Sequence, residues 1–146
     1  TAIVLAAAGV IRLNKETYIT EYLAPDIIMP AVCQGIIGIE THADKKDVLF
    51  MCEAITHAPS FVVATAERLF LNKLEGGCHV PIGCYSTITD DVFSLTGFVA
   101  TLDGSKIVLG SLSGHVQDSV KTADLVANEL LNNGGRELLK LKTIYR

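Results

Sequence analysis

The feature that most constrains this chain is the order of patterns between residues 58 and 146: an amphipathic helical stretch, three strand-like segments, then another amphipathic helix. After Pro59, the stretch from Ser60 to Leu74 carries an apolar stripe of Phe61, Val62, Ala66, Leu69, Phe70 and Leu74, with Glu67, Arg68 and Lys73 near its edges. Gly76-Gly77 stops it. Segments Val80 to Thr89, Val92 to Thr101 and Lys106 to Ser113 read as β, joined by Asp90-Asp91 and by Asp103-Gly104, the latter a strong hairpin signal. A helix from Asp118 to Asn132 places Val120, Ala123, Val126, Ala127, Leu130 and Leu131 on one side. Gly134-Gly135 caps it, and Arg136 to Lys142 reads as a short terminal helix. The expected architecture is an α+β unit: a three-stranded antiparallel meander with helices on one face.

Residues 1 to 57 have a different character. Ala2 to Ala7 and Ile36 to Ile39 are apolar runs of the kind that form strands covered on both faces, the first followed by a helical turn at Gly9 to Arg12. Thr17 to Leu23 reads as a short helix ended by Pro25, and Asp44 to Ile55 as a helix with apolar Val48, Leu49, Met51 and Cys52. Two short strands rarely make a stable sheet. The expectation is therefore pieces of larger α/β domains whose remaining strands lie upstream, and Thr1, no initiator, suggests a fragment.

Twelve Lys and Arg against sixteen Asp and Glu, spread without long runs, give a net charge of −4 and no basic footprint for nucleic acid. No apolar run is long enough for a helical membrane span, and the N-terminus lacks the pattern of a signal peptide, so no membrane partner is expected. Cys33, Cys52, Cys78 and Cys84 have neither disulfide-scaffold density nor CxxC spacing. Reduced thiols in the cytoplasm are the expectation.

Cys78 follows two glycines at a helix-to-strand junction, a position that suits a nucleophile at a loop tip, although by residue type alone a small buried cysteine packed behind a turn is the commoner case. Cys78, His79 and Cys84 lack the paired spacing of a zinc site, so no metal is expected. Asp90-Asp91 and Asp103 fit turn capping better than an acid pair. Glu40 and Glu67 have no identifiable partner, and phosphate-loop and dinucleotide fingerprints are absent.

Seven stretches in order carry a resemblance: Leu5-Ala-Ala-Ala-Gly9 with Arg12-Leu13, Pro30-Ala-Val-Cys-Gln-Gly35, Gly38-Ile-Glu40, Thr65-Ala-Glu-Arg68, Leu74-Glu-Gly-Gly-Cys78-His-Val-Pro81, Leu102-Asp-Gly-Ser105 and Leu130-Leu-Asn-Asn-Gly-Gly135. Together they resemble the C-terminal half of the porphobilinogen deaminase (hydroxymethylbilane synthase) family. The resemblance implies a transferase of tetrapyrrole and haem biosynthesis that condenses four porphobilinogen units into hydroxymethylbilane with release of ammonia. It implies a dipyrromethane cofactor held on the Cys78 sulfur by a thioether, with Arg12, Gln34 and Gly35 as further cofactor-binding residues; Arg68 matches a recurrent arginine that an ion pair explains equally well.

By the same resemblance, residues 1–29 finish a second domain, 30–57 return to a first domain and hinge, and 58–146 form the cofactor-carrying third domain. The catalytic aspartate and most substrate-binding residues of the family belong to a region N-terminal to this chain, so no catalytic residue is expected here and the isolated chain should be inactive. The expected partners are porphobilinogen as substrate and either the missing N-terminal half or a strand-exchanged copy. Cys33 stands where the family usually has Gly, and His42 where an arginine is common. The alternative function is a non-catalytic binding or assembly module derived from the third domain.

Overall fold

Sixteen residues, Ala58–Lys73, form the longest helix, α3, with Pro59 in its first turn where a missing N–H costs nothing. The computed structural model describes residues 2–74 and 81–140. Before α3 come two shorter helices, α1 (Ala7–Arg12) and α2 (Lys46–Ile55), and a three-residue 3₁₀ turn at Glu16–Tyr18. After it come β1 (Ile82–Thr89), β2 (Val92–Ala100), β3 (Ile107–His115), α4 (Ser119–Leu130) and α5 (Arg136–Lys140).

The strands form one antiparallel sheet in the order β1-β2-β3. Thr89 pairs directly with Val92, so Asp90 and Asp91 make a two-residue hairpin with φ of 48° and 62° at its centre. Short polar side chains that tolerate the left-handed region are what this turn requires. The β2–β3 connection is longer: Thr101 N–H donates to Lys106 O, and Gly104 takes φ +68° inside the loop.

Alternation along the strands gives the sheet one covered face. Cys84 and Ser86 of β1 and Phe93, Leu95 and Val99 of β2 are buried beneath α3 and α4 with Ala66, Phe70, Val126 and Leu130. Glycines set how closely the helices approach: a Cβ added at Gly97 would lie 2.4 Å from the Phe70 ring, and one at Gly114 would lie 2.8 Å from Thr122 Oγ1. The opposite face carries hydroxyl pairs, Ser94 with Ser113 and Thr96 with Ser111, each at 2.8 Å. This is the helix-covered three-stranded sheet read from the sequence.

Several expectations are corrected. Among the described residues Ala2 to Ala7 and Ile36 to Ile39 form no strand; Ile3 is 77% exposed and Ile37 92%. An apolar run becomes a strand only when another backbone satisfies its N–H and C=O groups, and among the described residues neither run pairs with one. Thr17 to Leu23 is not a helix beyond Tyr18, consistent with the poor helix propensity of its Thr, Ile and Tyr residues. Phe61 and Val120 point outward, while Glu67 and Thr122 are buried instead, Thr122 in the space that Gly114 leaves. Helix α2 buries no residue.

No described helix is by itself long and apolar enough to cross a membrane; α2 and α3 pass that test only as a pair, and the chain bends by 105° between them.

Candidate functional site

The segment Pro30 to Gly35 folds as a tight turn because two residues adopt left-handed backbone, Cys33 at φ 59° and Gly35 at φ 85°. Gln34 N–H donates to Ala31 O at 2.9 Å, and Ile36 N–H to Cys33 O at 3.1 Å. Glycine adopts this conformation freely; Cys33 bears a steric cost there. The left-handed φ gives a physical reason for the glycine that the resemblance puts at this position.

Four contacts seat this turn on the sheet-and-helix unit. The Pro30 carbonyl lies over β1, where a Cβ added at Gly83 would stand 2.8 Å from its oxygen. Val32 packs against the core cluster. Cys33 N–H donates to Glu67 Oε2 at 2.7 Å, and Cys33 Sγ–H donates more weakly to Ala64 O at 3.8 Å. Gln34 and Gly35 are left exposed.

Gly35 stands on the wall of an open cleft of about 1260 Å³ that runs between Ile36 to Ile39 and α3, with Ile55, Phe61, Arg68 and Asn72 among its lining residues. A Cβ at Gly35 would meet nothing within 4 Å, so the backbone is open to an approaching ligand. An exposed amide side chain, bare backbone and a guanidinium are groups that can hold a flat heterocycle bearing carboxylates. Among the described residues Arg68 makes no salt bridge. Arg12 ends α1 as an exposed residue and does not line this cleft. The structure thus brings Gly35 and Arg68 to one cleft, with Gln34 exposed next to Gly35 in the chain, and leaves Arg12 outside it.

Of the cysteines, Cys84 is buried, and burial followed by the charge of Glu67 pushes its thiol far up. Burial and then Glu67 also raise Cys33, against a smaller lowering by Arg68. Thiolate is the nucleophilic form, so neither site favours nucleophilic chemistry. Cys78 lies outside the described residues, in the stretch that links α3 to β1. Among the described residues no group of three or more His, Cys, Asp or Glu side chains is arranged to hold a metal ion.

Sequence reasoning missed the role of Glu67, whose partner is a backbone amide 34 residues upstream. The available signal was a charged residue beside Ala66 on the apolar side of an amphipathic helix.

Two family models match the chain in order. Residues 1–49 match "Porphobilinogen deaminase, dipyromethane cofactor binding domain", and residues 61–132 match "Porphobilinogen deaminase, C-terminal domain". Curated proteins named porphobilinogen deaminase from Carboxydothermus hydrogenoformans, Roseiflexus castenholzii and Geobacter sulfurreducens are 41%, 44% and 40% identical over 138 residues, 94% of this chain in each case. The matched region is 44%, 45% and 43% of those proteins, so the chain spans less than half their length.

Proposed function

The chain belongs to the porphobilinogen deaminase family, and from that premise we propose that it supplies the cofactor-carrying part of a hydroxymethylbilane synthase, with Cys78 as the attachment residue. One observation carries the reading: the Pro30–Cys33 turn of the segment matching the cofactor-binding domain is seated on α3 and β1, the two elements that flank Cys78 in sequence.

The residues present fit a dipyrromethane. Gln34 offers an amide donor and acceptor, Gly35 an unobstructed backbone, and Arg68 a guanidinium that can grip an acetate or propionate with two parallel hydrogen bonds. Arg12, exposed at the end of α1, reaches such a carboxylate only after the N-terminal segment packs differently from its arrangement here. When bound, the dipyrromethane supplies the pyrrole terminus to which further porphobilinogen units are joined. The chain's own residues hold that group and fix its carboxylates. Cys78 is an anchor rather than the acid that drives condensation, and no residue of this chain is assigned that proton transfer.

The chain spans less than half of its relatives, and turnover would require the N-terminal region that they possess beyond the matched stretch. The apolar runs at Ile3 to Leu5 and Ile37 to Ile39 are where it would cover this chain, since burying such surface stabilises by about 25 cal/mol per Å². Mixing the chain with an N-terminal half of a relative, in the presence of porphobilinogen, should give hydroxymethylbilane. Neither half alone should. Activity of the isolated chain, or none from the stoichiometric complex, contradicts the reading.

A further inference from the structure

Glu67 is a carboxyl side chain only 4% exposed, placed on the core side of α3 where an apolar residue would pack more simply. A buried carboxyl is costly to leave without partners. Its Oε2 accepts the Cys33 N–H at 2.7 Å, across 34 residues of sequence, and its charge acts on the thiols of both Cys33 and Cys84. Glu67 therefore sits between the upstream turn and β1.

The geometry of the turn explains why a carboxyl is used. With Cys33 in the left-handed region, its N–H points into the sheet-and-helix unit instead of along the chain, and would be an orphan donor without an acceptor there. A carboxyl oxygen from α3 satisfies it. Of the residues immediately following, Gly35 is consequently held at the cleft wall beside α3, with Gln34 exposed next to it in the chain. Pro30 over Gly83 and Val32 against the core restrict the approach of the turn, while the bond to Glu67 is the shorter of the two hydrogen bonds that Cys33 makes to α3.

We propose that Glu67 is a positioning residue: its carboxyl latches the Ala31–Gln34 turn onto the sheet-and-helix unit and so fixes Gln34 and Gly35 relative to the domain that carries Cys78. The proposal rests on the assignment of Gln34 and Gly35 as cofactor contacts. The latch itself is defined by the Cys33–Glu67 bond and does not depend on that assignment.

The test compares Glu67→Leu with Glu67→Gln in the full chain and in its complex with an N-terminal half. Leucine removes the acceptor while filling similar volume with apolar atoms, and leaves the Cys33 N–H without a partner unless the turn lifts off to meet water, so the loss falls on the turn. Glutamine keeps a carbonyl oxygen able to accept the same N–H. Amide hydrogen exchange of Cys33 to Gly35 should speed up about tenfold or more in Glu67→Leu and stay near wild type in Glu67→Gln. Exchange in β1 to β3 should stay at the wild-type rate in both variants, because the loss is confined to the turn. In the complex, Glu67→Leu should lose about tenfold in kcat/KM for porphobilinogen, and Glu67→Gln should restore most of it.

Unchanged Cys33 exchange in Glu67→Leu overturns the latch. So does acceleration that merely follows loosening of the whole sheet. Faster local exchange with unaltered kcat/KM overturns the positioning role. The wild-type complex, measured in the same series, reports on the functional reading separately: if it makes no hydroxymethylbilane, that reading fails whatever the exchange data show.

Discussion

The backbone N–H of Cys33 and the carboxyl of Glu67 meet at 2.7 Å, joining the turn before Gln34 to the third turn of α3. Cys33 makes this bond from a left-handed conformation, φ 59°, that a β-carbon disfavours. The contact ties the segment matching the cofactor-binding domain to the unit matching the C-terminal domain.

Replacing Cys33 with glycine removes the steric conflict and keeps the N–H. The turn should become more stable by about 1 kcal/mol, less whatever is lost with the weak Sγ contact to Ala64. Amide exchange of Gln34 to Ile36 measures it, and slower exchange than wild type is the expected result.

The sheet offers two substitutions of opposite sign. Gly97→Ala would place a methyl 2.4 Å from the Phe70 ring, so the ring or β2 must move, and a loss of about 1–3 kcal/mol is expected. Ser86 Oγ is buried with no hydrogen-bond partner among the described residues. Ser86→Ala removes that polar atom and should stabilise by about 1 kcal/mol. Urea denaturation of both variants checks the pair.

Asp103 sets a pH dependence at the β2–β3 loop. The Thr101 hydroxyl and then the N–H and hydroxyl of Ser105 hold its carboxyl down to about 2 from an ordinary 3.8. Of these, the Ser105 contacts, at 3.1 and 2.8 Å, are direct. A depressed folded-state pKa means that the stabilisation is fully present above about pH 3.8 and is lost as pH falls toward about 2. Asp103→Asn should flatten this part of the acid limb in pH-dependent melting, by a small amount because the group is fully solvated.

The sequence made α3, the three strands and α4 legible because each carries its own periodicity: Ala66, Phe70 and Leu74 along a helix, and Phe93, Leu95 and Val99 at alternate positions of β2. Turn chemistry was legible too, since Asp90-Asp91 and Asp103-Gly104 both close hairpins. The runs at Ala2 to Ala7 and Ile36 to Ile39 misled because apolarity reports a need for burial, whereas a strand is a relationship between two backbones.

The site divided along the same line. Gln34 and Gly35 were found by resemblance, and the structure puts Gly35 at a cleft wall with Gln34 exposed beside it in the chain. Arg12 was found by resemblance and lies elsewhere, and Glu67 was passed over because its partner is a main-chain amide, which no side-chain pattern displays.

The central claim is that Cys78 carries the cofactor. Material assembled with an N-terminal half and supplied with porphobilinogen should be denatured, alkylated at its thiols and mapped by peptide mass. Cys33, Cys52 and Cys84 should alkylate, including Cys84, which its burial shields in the folded chain. Cys78 should resist and carry the added mass of a dipyrromethane. Alkylation of all four cysteines with no adduct at Cys78, from a complex that makes hydroxymethylbilane, would contradict the account.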